Sequence, residues 1–131
     1  MPATAYTADL IADAMAHGTA YQGPATVYLA LVHTAPTKTV AGTEITLGSY
    51  ARVTFAQSGW TLSGDGSNSN TADVVYPEAT ADYDGDVVAV EAYTAGTGGT
   101  RLWYIPLTSE KTIASGQTPK FLSGDLVLSV I

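Results

Sequence analysis

Ala25-Thr-Val-Tyr-Leu-Ala-Leu-Val-His-Thr34 decides the fold class. Extended, it sets Val27, Leu29 and Leu31 on one face and Tyr28, Ala30 and Val32 on the other. A strand apolar on both faces belongs at the centre of a sheet with something covering each side. Upstream, Thr7 to Gly18 reads as the one convincing helix and the obvious cover. Leu10, Ile11, Ala14 and Met15 fall on one stripe, with Asp9 and Asp13 opposite. Thr7 suits its cap, Asp9 the positive end of its dipole, His17 the negative end and Gly18 the left-handed stop. At roughly three turns the helix is marginal alone, so its stripe is expected to dock on the sheet or on a neighbouring subunit.

Downstream, short runs rich in Val, Ile, Thr, Tyr and Trp alternate with Gly, Pro, Ser, Asn and Asp. Besides residues 25–34, the clearest are 52–57, 72–76, 86–94, 101–107, 111–114 and 125–131. The expected architecture is all-β: an antiparallel β-sandwich or jelly-roll-like barrel of about seven or eight strands over residues 23–131, with one short N-terminal helix at residues 7–18. Residues 35–50 form the longest irregular stretch, within which Val40 and Ile45 suit an extended arm or edge strand. At 131 residues, without internal repeat or linker, residues 1–131 read as a single domain.

Composition narrows the function classes. Hydrophobic residues make up 46% of the chain and charged ones 13%, which suits a packed core. Five scattered basic residues against twelve carboxylates give a net charge of -7, a field that repels phosphate backbones and anionic headgroups. Neither nucleic acid nor membrane is an expected partner. With no cysteine, disulfides and thiolate chemistry are excluded. No apolar run approaches the roughly 20 residues of a bilayer span, and residues 1–18 lack a basic secretory start, so synthesis in a cytoplasm without Sec-type export is expected.

Candidate chemistry is thin, and no catalytic residue or cofactor is expected. His17 and His33 have no partner at metal-ligand spacing, and Ser58, Ser63 and Ser109 stand outside any Gly-x-Ser-x-Gly elbow. Asp82-Tyr-Asp-Gly-Asp86 resembles the first half of a calcium loop, making Asp82, Asp84 and Asp86 weak metal candidates. The bidentate Glu such a loop needs is replaced by Tyr93. Gly96, Gly98 and Gly99 lead into a strand rather than a helix, so they read as a hairpin turn and not a phosphate cradle. Trp60, Trp103, Tyr93 and Tyr104 are core or interface anchors by ordinary expectation, and a sugar platform by the sharper one.

Ala14-Met-Ala-His-Gly-Thr-Ala-Tyr-Gln-Gly-Pro-Ala-Thr-Val-Tyr-Leu-Ala-Leu-Val-His-Thr-Ala-Pro-Thr37 is similar to the opening of a family of small tailed-bacteriophage virion proteins. Gly48-Ser-Tyr-Ala-Arg52, the Ser69-Asn-Thr-Ala72 segment running to Asp82, Leu107-Thr108 with Lys111-Thr112, Ser115-Gly116 and Gly124-Asp-Leu126 continue the resemblance. These are turn and strand residues, and Tyr83-Asp-Gly-Asp86 departs from the family pattern. The resemblance implies a structural virion protein: first a capsid-decoration (cement) protein on the capsid surface, binding the major capsid protein and copies of itself as a homo-oligomer, trimer favoured. The alternative is a tail or tail-fibre component touching host glycan. A carbohydrate-binding or hydrolytic β-sandwich is the reading from another class. Leu10, Ile11, Met15, Val40, Ile45, Trp60 and Trp103 are the expected interface residues.

Overall fold

The computed structural model describes residues 3–62 and 64–129; Ser63 of the expected turn and the strand end at Val130 and Ile131 lie outside them. Among the described residues one α-helix, α1 (Ala5–His17), precedes nine strands, with a short 3-10 helix at Gln57–Gly59 between the second and third: β1 (Thr26–Val32), β2 (Val53–Ala56), β3 (Trp60–Leu62), β4 (Ser67–Asn70), β5 (Val74–Val75), β6 (Val87–Tyr93), β7 (Arg101–Lys111), β8 (Lys120–Phe121) and β9 (Val127–Ser129). They form three antiparallel sheets ordered β2-β1-β6-β7, β3-β4-β9 and β5-β8, in a sandwich-like arrangement.

As its alternation requires, β1 is central in the four-stranded sheet, flanked by β2 and β6. Cross-strand partners share a face. Leu29 lies beside Ala92 and Trp103, and Leu31 beside Val90 and Ile105. This face packs with Val74 and Leu128 of the smaller sheets and with Tyr76 and Leu126 beside them, closing the main apolar cluster. Tyr76 spans the layers, its hydroxyl donating to Leu29 O at 3.1 Å.

On the opposite face of β1, Ala30 and Val32 are also buried, but the helix is not their cover. Residues 33–45 fold back over it instead. Thr43 O accepts from His33 N (2.9 Å), Glu44 bridges Val32, and Ile45 N donates to Leu31 O (3.0 Å), so the arm prolongs the sheet edge beside β2. Gly42 is forced here by close approach: a Cβ would sit 2.7 Å from a Val32 methyl. The sheet face was occupied by this nearby chain, and α1 docks at the far edge of the sheet, beside β7.

The helix starts earlier than residue 7, because Thr4 caps it rather than Thr7. Its Oγ1 accepts from Thr7 N at 3.4 Å, and its hydroxyl hydrogen is shared between the carbonyls of Arg101 (2.9 Å) and Leu102 (3.0 Å). That tie to β7 outweighs the local preference for a start at 7. Asp9 consequently falls beyond the first turn. Gly18 ends the helix with φ 71°, as a left-handed stop should.

Strand count also departs from the expected seven or eight. The 101–107 run extends to Lys111 as β7, whose pairing with β6 shifts register between Val87 and Ala89, and the expected 111–114 strand is absent because residues 112–114 turn away into the loop held by Asp82 and Asp86. Polar β4 and short β3 and β8 are recruited by their neighbours rather than by propensity. Gly98 and Gly99, with positive φ, close the β6-β7 hairpin. Among the described residues no helix is long and apolar enough to cross a membrane.

Candidate interaction site

The three aspartates of the 82–86 turn are committed to two other loops, Asp82 and Asp86 to the connection between β7 and β8, and Asp84 to the one between β1 and β2. Asp82 Oδ1 accepts from Ser115 N (2.9 Å), and Asp86 Oδ1 from Thr112 Oγ1 (2.8 Å). Asp84 takes Thr46 N and Thr46 Oγ1, both at 3.0 Å, with His33 Nε2 at 3.7 Å. Burial raises the Asp84 carboxyl, but the Thr46 hydrogen bonds outweigh it and hold the group below the usual carboxylate range. Gly85 between them admits the His33 ring, which would lie 2.7 Å from an added Cβ. Among the described residues no group of three His, Cys, Asp or Glu side chains is arranged to hold a metal ion. The turn works as a clip that fastens three loops together.

A second polar cluster, not visible in the sequence, fastens the 33–45 arm. Glu91, fully buried on β6, accepts from Arg101 Nη1 (3.0 Å), Gly42 N (3.0 Å) and Tyr93 OH (3.1 Å). Arg101 Nη2 reaches Thr37 O at 2.6 Å. Alongside, Arg52 forms a two-pronged pair with Glu44 at 2.9 Å through both contacts, donates to Ala95 O and Gly98 O, and lies 3.9 Å over the Tyr93 ring. Burial and the nearby Glu91 push the Tyr93 phenol up to about 12. Every charge here is answered inside the chain, so the cluster is a lock for the arm rather than a reaction centre.

The expected interface residues separate into distinct places. Met15 (82% exposed) and Val40 (61%) face solvent, Leu10 and Ile11 are half-buried, and Ile45 (2%) belongs to the core. Trp103 is buried and Trp60 half-buried. The two indoles meet edge to face with centroids 5.7 Å apart, and Phe55 meets Trp60 at 4.9 Å.

Ile11, Trp60 and Trp103 do converge, on a groove of about 410 Å³ between α1, the chain leading into β1, and the end of the β3-β4-β9 sheet. Tyr21, Phe55, Gln57 and Asn68 also line it, and none of its lining residues is charged. Thr7 and Ile11 line the groove one helical turn apart. Met15, a further turn along the same stripe, carries that face out into solvent. Exposed Leu62 lies on the same sheet face as Trp60 and Asn68.

Tyr21, Gln57 and Asn68 were not legible as groove residues. Tyr21 precedes the first strand, and Ser67-Asn-Ser-Asn70 reads as turn composition until its pairing with β3 and β9 is known. That pairing sets two asparagines on one face with different fates. Asn70 donates to Ala72 O (2.8 Å) and Leu122 O (3.0 Å) and accepts from Leu126 N (2.9 Å). The side chain of Asn68, at the groove, has no hydrogen bond with any of the described residues, nor has that of Gln57.

A family model described as Podophage GP4 fiber I protein gp80 matches residues 2–129. No curated protein matches the chain.

Proposed function

The chain belongs to the family of the Podophage GP4 fiber I protein gp80, and from that membership we propose that it is a structural component of a phage virion, built into its fibre. The match over residues 2–129 carries this reading. The fold suits such work. The buried Arg101-Glu91 pair, the half-buried Arg52-Glu44 pair and the aspartate clip fix the long loops, leaving a rigid body whose contacts are made by exposed side chains. Tyr6, Met15, Val40, Leu47, Leu62 and Val127 offer separate apolar footholds for neighbours, other copies of the chain among them, with a trimer as the proposed assembly. The charge of -7 keeps free copies apart until they meet a complementary basic surface. No bond-breaking step is assigned to it.

Capsid decoration, with the major capsid protein as partner, is the second reading. It is favoured by a sequence without the repeats that an elongated shaft is built from. Copy number separates the two. Quantitative mass spectrometry and electron microscopy of purified particles should find a few copies, at the tail. Hundreds of copies spread over the shell would replace the fibre reading with decoration, and particles lacking the chain would end both.

A further inference from the structure

The geometry points to the groove between α1 and the β3-β4-β9 sheet as a binding site for a neutral saccharide, one or two rings in size. Its volume of about 410 Å³ lies within the roughly 300–1,000 Å³ of small-molecule sites. Its wall is aromatic, with Trp60 half-buried and Tyr21 exposed, and stacking against the apolar face of a sugar ring is what such side chains offer. The two polar side chains that distinguish it from a plain apolar cleft are the amides of Gln57 and Asn68. An amide carries two donors and an acceptor oxygen, which matches vicinal hydroxyls. Asn70, two residues along the same sheet face, shows what the fold does with an amide it needs: all its hydrogen bonds go to backbone. Asn68, half-buried at the groove, makes no such bond with the described residues and keeps its donors and acceptor open to a ligand.

Charge selects the class further. No lining residue is cationic, and the chain carries -7, so sialylated, uronic or phosphorylated sugars would enter against the field without an ion pair to hold them. The two amides would be left unanswered by an apolar side chain of a second copy, whereas hydroxyls answer them, which leaves the uncharged ring as the favoured occupant. The site stands apart from the fibre reading: it needs only this groove, wherever in a particle the chain resides.

Both tryptophans of the chain line the groove, so intrinsic fluorescence reads it directly. The full-length protein would be titrated with D-glucose, D-galactose, N-acetylglucosamine and their disaccharides, with N-acetylneuraminic acid as the anionic control, and followed in parallel by saturation-transfer NMR. At least one neutral sugar should shift the emission and receive saturation. Asn68→Ala and Gln57→Ala should each weaken that binding about tenfold, with the unfolding transition kept. Silence across the neutral panel, binding unchanged in both variants, or preference for the anionic sugar would overturn the proposal. Emission that responds only to protein concentration would also overturn it and assign the groove to a second copy.

Discussion

Glu91 is the side chain on which the arm depends. Its carboxylate has no contact with water and is balanced by Arg101, with Gly42 N–H and Tyr93 OH filling its remaining lone pairs. Removing one member of such a pair strands the other in a low-dielectric interior. Glu91→Ala or Arg101→Ala should each cost about 3–5 kcal/mol in denaturant unfolding. The double variant should cost far less than the sum, because neither charge is then orphaned. An additive double variant would mean that the pair is solvated in solution.

Asp84 supplies a pH signature at the same scale. Its carboxyl is held low in the folded chain, so its contribution is present above the unfolded value, roughly 4, and drains away as pH falls through the folded one. Asp84→Asn should therefore melt lower than the parent at neutral pH and converge with it as the pH is taken from about 5 to below 3. A gap that stays constant over that range would show that Asp84 does not hold Thr46 as a carboxylate.

Among the elements, β4 contributes most beyond its appearance. Ser67-Asn-Ser-Asn70 has the composition of a turn, yet it is the middle strand of its sheet, and the buried Asn70 side chain answers the buried Leu126 N while tying down the carbonyls of Ala72 and Leu122. Asn70→Ala should lose about 3 kcal/mol, and Asn68→Ala on the same face should stay within about 0.5 kcal/mol; thermal or denaturant unfolding reads both. This contrast also marks the limit of what was legible beforehand. The central place of residues 26–32, the β6-β7 hairpin and the Gly18 stop follow from local chemistry, and local chemistry is written in the sequence. The arm's path, the start of α1 at Thr4 and the recruitment of β4 are decided by partners many residues away. The groove was half visible: the tryptophans and Ile11 signalled an apolar meeting point, whereas Gln57 and Asn68 acquire meaning only once the sheets are paired.

Across the whole molecule, three tyrosines tie the layers. Tyr50 OH accepts from Leu31 N and donates to Glu44, Tyr76 OH reaches Leu29 O, and Tyr83 meets Tyr50 edge to face with a buried hydroxyl that has no partner among the described residues. Burial pushes all three phenols up, that of Tyr50 with help from its bond to Glu44. A phenol whose folded value is raised stabilises the fold below the unfolded value near 10 and ceases to do so as pH climbs past it. Stability should hold to about pH 10 and then fall, with phenolate absorbance of the buried tyrosines rising together with unfolding. Absorbance that rises fully before unfolding would show these rings to be solvent-accessible.

The position of β1 carries a consequence in time. This strand leaves the ribosome early, while β6, its neighbour along most of its length, begins only at Val87. A seven-residue apolar β-run without charge or proline thus waits with the edge that β6 fills still open, β2 being able to cover only the other. Pairing that spans so much chain is also slow to close. Yield of folded protein should accordingly be governed by how long nascent β1 stays exposed, so that a co-expressed chaperone, or cooler growth that weakens apolar association, rescues expression more than added stability of the finished fold, whereas slower elongation at constant temperature lowers it.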